Sequence, residues 1–178
     1  MKKIFLLAAM ICFALTSTAF AARDYNSVGV VIIGGVEFKT DDYYKIIRNE
    51  LNPKSGAKII VGNDMQTLYK KYWLRQGYIG EQTPQKNDLI NFTASSGYKK
   101  VVFIIISDST VDRHNNPKSR EKDRISVQVD AYLCTSTNVE DVFAASDDEL
   151  SKTSNLRARK GAFKKCLDEI SKSLNRNI

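Results

Sequence analysis

The residues best placed for chemistry are Gly34, Asn63, Asp64, Ser107 and Asp108, each of which follows an apolar run. Open parallel sheets bind ligands beyond the carboxyl ends of their strands. Brought to one edge, two carboxylates, an amide, a hydroxyl and a glycine turn would make a small polar ligand site. Each also has a structural use: Gly34-Gly35 as a turn, Asn63 as a helix cap, Asp108 as a strand exit.

Other chemistries lack their parts. The chain has one histidine, His114, which excludes a zinc site built on HExxH and any multi-histidine centre. His114 falls in the polar stretch 108–123, where an imidazole is solvated rather than held for catalysis. Asp108 and Asp112 could reach a divalent cation through oxygen, but that spacing is ordinary in a polar loop. Gly29 and Gly34 have the outer spacing of a phosphate loop, yet Gly35 and Val36 stand where Lys and Ser or Thr belong. No catalytic residue, metal or cofactor is therefore assigned. The enzymatic alternative is a small hydrolase or metal-dependent enzyme using Asp64, Asp108 or His114.

The elements that must position these residues follow from periodicity. Residues 101–106 are six consecutive apolar residues, the pattern of a strand covered on both faces and central to a sheet. Residues 28–33 read the same way, and 57–61 as a short strand. A helix capped by Thr40 carries Tyr43, Ile46, Ile47 and Leu51 at helical spacing. Asn63 with Gln66 three residues on reads as a capping box for a helix ending near Gly77. Thr83 and Pro84 open another helix that runs to Gly97.

Residues 108–123 read as a solvated loop. Ile125, Val127, Val129, Ala131 and Leu133 alternate with polar residues as a half-buried strand, and 139–145 returns beside it as a hairpin. A final helix over 155–174 has Leu156, Phe163, Leu167, Ile170 and Leu174 as its apolar stripe. Alternating strands and helices followed by a meander and a helix give a single α/β domain. Its sheet is mixed, of about five strands, with helices packed on it and a C-terminal amphipathic helix.

The beginning of the chain addresses it. Lys2 and Lys3 precede an apolar run over 4–15, and Ala19-Phe20-Ala21 supplies a small-x-small cleavage pattern. Residues 1–21 read as a cleaved signal peptide and 22–178 as the mature domain, periplasmic or secreted. Cys12 lies inside the apolar core, so the mature chain is expected to be unlipidated, with no transmembrane span. Export argues against nucleic acid as a partner. Losing Lys2 and Lys3 lowers the formal charge of +7 by two.

The remaining cysteines, Cys134 and Cys166, enter a compartment where thiols oxidise, so a bridge and two buried thiols both stay open. Among candidate partner contacts, Trp73 lies off the Met65-Leu68-Tyr72 stripe, and Lys160 and Lys164 sit on the basic face of the last helix. That face could bind anionic lipid or wall polymer.

The order of elements, with Val28-Gly29-Val30-Val31-Ile32-Ile33, the strand and return over 125–145 and the helix over 158–174, resembles two families. They are the amino-terminal TolB-like domain and the periplasmic domain of CsgG-type secretion proteins. The resemblance implies an α/β envelope domain that binds other proteins in assembly or transport and does no catalysis. It supplies no site residue.

Overall fold

In a computed structural model, residues 26–80, 82–114, 122–151 and 153–178 are described. Strand β1 (Ser27–Ile33) leads through a 3-10 turn (Val36–Phe38) to helix α1 (Asp41–Glu50) and strand β2 (Lys58–Ile60). Helices α2 (Asn63–Arg75) and α3 (Lys86–Ser96) come next, then strands β3 (Lys100–His114), β4 (Lys122–Cys134) and β5 (Val139–Leu150), and helix α4 (Asn155–Leu174). The five strands form one mixed sheet in the order β2-β1-β3-β4-β5. β1 pairs in parallel with β2 and β3, while β3, β4 and β5 are antiparallel.

The first crossover, β1 to β2, runs outward, and the second, β2 to β3, runs back past β1. Right-handed connections in opposite directions must place their helices on opposite faces. Accordingly α1 joins α4 over Val30, Ile32, Val102 and Ile104, and α2 joins α3 over Val31, Ile33, Val101 and Phe103. Alternate residues of residues 101–105 are buried on both sides, so this stretch is the doubly covered centre of the sheet. Phe163 of α4 packs edge-on against Tyr43 of α1, with ring centroids 5.2 Å apart, and Phe38 closes the trio at 5.9 Å. On the other face Phe92 meets Tyr69 at 5.2 Å and Phe103 at 5.7 Å.

Several expectations are corrected. β3 does not leave the sheet at Asp108. It shifts register between Ile106 and Asp108, which bulges Ser107, and runs on to His114 paired with β4. Only 115–121 of the expected polar loop lies outside the described residues. The 107–114 stretch is polar because it extends past the end of β1, and pairing with β4 makes it a strand regardless of its composition. β5 likewise runs to Leu150.

Asn63 is the first residue of α2 rather than its cap, because Gly62 takes that position with φ 148°. Its Oδ1 accepts from the Tyr44 hydroxyl at 3.2 Å, and Gln66 turns elsewhere, so the capping box does not form. α3 starts after Thr83 and Pro84, with Asp88 accepting from the Gln85 N–H at 2.9 Å. Leu156 is exposed.

Cys134 and Cys166 are both free and buried. Cys134 belongs to the core under α2 and α3, Cys166 to the core under α1 and α4, and the sheet stands between them. The Cys166 thiol donates to the Val127 carbonyl at 3.3 Å. Among the described residues no helix is long and apolar enough to cross a membrane.

Candidate functional site

The strand-end residues fall in different surroundings. Gly34 lies against β3, where a Cβ on it would come within 3.0 Å of the Ile106 Cβ, and its φ of +150° suits glycine. Asn63 and Asp64 line a separate cleft of about 260 Å³ with Asp41, Tyr44 and Arg48. Arg48 donates there to the Val61 carbonyl at 3.1 Å. Ser107 sits in the bulge, and Asp108 is paired with Gln128 inside β3 rather than at its exit. The side chains of Asp108 and His114 are outside the described ones. Among the described residues no group of three or more His, Cys, Asp or Glu could hold a metal.

What the fold does build is an apolar groove at the end of β1. β2 is only three residues long, and its last pairing is Ile60 with Gly29, so the outer edge of β1 runs on without a strand beside it. The chain turns instead into α2, whose Gln66 amide pairs with Ile32. With the amide oriented to suit its neighbours, it accepts from the Ile32 N–H at 2.7 Å and donates to the Ile32 carbonyl at 3.0 Å. α2 therefore crosses the end of β1 and leaves a groove of about 400 Å³ lined by itself, the 3-10 turn and Tyr78, Gly80 and Gln82.

Ile32 and Ile33 lie on the strand side, and Tyr69, Trp73 and Leu74 on the helix side. Trp73 was expected as a surface contact, but it is only 7% exposed. Its ring stacks on Tyr78 at 4.1 Å and on Tyr69 at 5.6 Å, and its Nε1 donates to the Gly80 carbonyl at 3.2 Å. The Tyr78 hydroxyl donates to Asp88 at 3.2 Å, which ties the loop to α3. Burial pushes the Tyr69 phenol above its ordinary ionisation range, and its hydroxyl has no hydrogen-bond partner among the described residues.

Beside this aromatic wall the lining residues Val36 and Leu74 are 78% and 57% exposed, and Ile79, between the lining residues Tyr78 and Gly80, is 87% exposed. Among the described lining residues the charged ones are Lys39 and Lys70.

The architecture is shared by other proteins. In all, 28 chains of known structure match it. Hypothetical protein CT253 from Chlamydia trachomatis matches with a TM-score of 0.53 at 8% identity, over 84% of this chain and 95% of that one. Lipoprotein GNA1162 from Neisseria meningitidis gives 0.45 at 15% identity, over 83% and 99%. A minor lipoprotein from Acinetobacter baumannii gives 0.38 at 9%, over 86% and 91%. Identities this low speak to the fold alone. No protein-family model matches the sequence, and no curated protein matches it.

Two of these neighbours are named lipoproteins, against the expectation of an unlipidated chain, and that expectation is withdrawn. That expectation rested on residues flanking Cys12, outside the described residues. A lipid joined to an N-terminal cysteine leaves no mark on the folded domain.

The basic face of α4 is largely spoken for. Lys160 pairs with Asp42 of α1, and Lys164 with Glu50 at 3.5 Å, so both fasten α4 to α1. Hydrogen bonding to Lys160, together with its charge, holds the Asp42 carboxyl below its usual range. Lys165 meets Asp147 at 3.2 Å and Lys172 meets Asp168 at 2.9 Å.

Sequence reasoning missed Gln66, Leu74, Ile79 and Val36. Their signal was there: Leu74, Ile79 and Val36 are apolar residues that no core stripe claims. Gln66 carried none, because a glutamine three residues after Asn63 reads as a cap.

Proposed function

We propose that this protein is an exported, non-catalytic component of the cell envelope that works by holding another protein, and that the groove beside Trp73 is where it does so. Lys2, Lys3, the apolar run over 4–15 and Ala19-Phe20-Ala21 support export. The resemblance to TolB-like and CsgG-type domains supports a binding role in envelope assembly or transport.

The observation that carries the reading is the rim. Val36, Leu74 and Ile79 leave apolar surface in water around an aromatic-walled slot, at a cost that burial by a partner would recover. The hydrolase alternative gains no support from Asp64, which lies in the cleft with Asp41, Tyr44 and Arg48. The anionic-lipid alternative loses much of its field to the ion pairs on α4.

The test compares the protein with its Leu74→Glu variant in gentle cross-linking pull-downs from envelope extracts. One specific protein should be captured by the first and lost by the second. Capture unaffected by the substitution, or no specific capture at all, refutes the reading.

A further inference from the structure

We propose that Gln66 is an edge guard: its amide closes the outer edge of β1 against a second copy of this chain, and without it two copies join by pairing their β1 strands. The proposal does not depend on what the groove holds.

The hazard comes from the composition of β1. Residues 28–33 carry no charge, and every residue of the strand is buried. Identical, uncharged, β-branched strands pair readily once an edge is open, because no like charges oppose one another. A long β2 would cover that edge. Instead, among the described residues no strand pairs with that side of β1 beyond Gly29. Further along it Ile32 would offer an N–H and a carbonyl to an incoming strand, and the Gln66 amide takes both, at 2.7 and 3.0 Å. One side chain thereby makes the two bonds that a neighbouring strand would make.

The two edges of the sheet are defended differently. β5 carries five acids, Glu140, Asp141, Asp147, Asp148 and Glu149, and no basic residue, a composition that blunts an exposed edge. β1 has no charge to do this, so its protection falls to α2. That helix is lightly held: it buries Met65 and Trp73 among its thirteen residues, where α4 buries eight of twenty. The Gln66 bonds are therefore a large share of what keeps α2 across the edge. Contacts of this size open locally while the rest of the sheet stays folded.

Amide hydrogen exchange and sedimentation test the proposal on the protein and on its Gln66→Leu variant, which keeps the bulk and removes both bonds. In the unaltered protein the Ile32 amide should exchange slowly, as an amide inside a ladder does. A fast Ile32 amide there overturns the proposal before any substitution is made. In dilute Gln66→Leu the Ile32 amide should exchange about tenfold faster or more, as the loss of two hydrogen bonds allows. As its concentration rises the variant should associate while the unaltered protein does not, and the Ile32 amide should then regain protection, because a strand of the second copy takes its N–H.

Unchanged exchange at Ile32 in the variant, or association no greater than that of the unaltered protein, overturns the proposal. Association that leaves the Ile32 amide unprotected does so too, since it places the contact elsewhere. Phe163→Ala is the control, because Phe163 belongs to the core on the opposite face and leaves Gln66 in place. Where it is folded it should associate no more than the unaltered protein; association matching that of Gln66→Leu would trace the effect to lost stability and overturn the guard.

Discussion

Gln66 stands in for a missing strand. Its amide satisfies an N–H and a carbonyl of Ile32 that a longer β2 would have paired. Gln66→Leu keeps the bulk and removes both bonds, so it should cost about 1–3 kcal/mol, read as a lower urea midpoint at unchanged slope. The thiols make a second residue-scale prediction. Burial pushes Cys134 from 9.0 up to about 12 and Cys166 up to about 11. Above pH 9 the unfolded chain ionises these thiols while the folded chain keeps them protonated, so unfolding gains what folding cannot. Stability should therefore be full below pH 9 and fall progressively towards pH 12. Urea titrations at stepped pH should show the early part of that fall flatten in Cys134→Ala and Cys166→Ala variants, leaving the later part to Tyr43, raised to about 12 by burial. Whether the cysteines pair was not legible in the sequence. It depends on which face of β4 the last helix covers, and local periodicity does not carry that long-range fact.

At the scale of elements, the same helix pair holds a strong contact and weak ones. Phe163 packs against both Phe38 and Tyr43, fully buried, so Phe163→Ala should cost about 3–5 kcal/mol. Lys160→Ala and Lys164→Ala break exposed ion pairs on the same seam and should each cost under about 1 kcal/mol. Chemical denaturation of the three variants side by side checks the ranking, and a lysine variant as damaging as Phe163→Ala would contradict it. α1 and α4 were legible because each buries one stripe, and their apolar spacing sets their length. The far half of β3 was not, since Ser107 to His114 are polar and become a strand only by pairing with β4. The cap of α2 misled for a related reason. Asn63 and Gln66 have the residue types of a capping box, but Tyr44 and Ile32, distant in sequence, claim them.

For the whole molecule, the groove is a consequence of topology. β1 sends the chain to α1 on one face, and α2 comes back on the other, so a crevice opens where the two part at the end of β1. Sequence reasoning found that end through Gly34, which is followed closely by Val36 of the rim. It also expected β3 to end there, but β3 continues eight residues past Ile106. The rim itself was legible only as apolar residues, Val36, Leu74 and Ile79, that no core stripe claims. The most direct measurement of the central claim is a scan with a photo-activated cross-linking residue placed singly at Val36, Leu74, Ile79, Lys54 and Arg157 in cells. The three groove positions should give one shared protein adduct that the two distant positions lack. Adducts spread evenly over all five, or confined to Lys54 and Arg157, would contradict the claim that this groove is where the protein holds its partner.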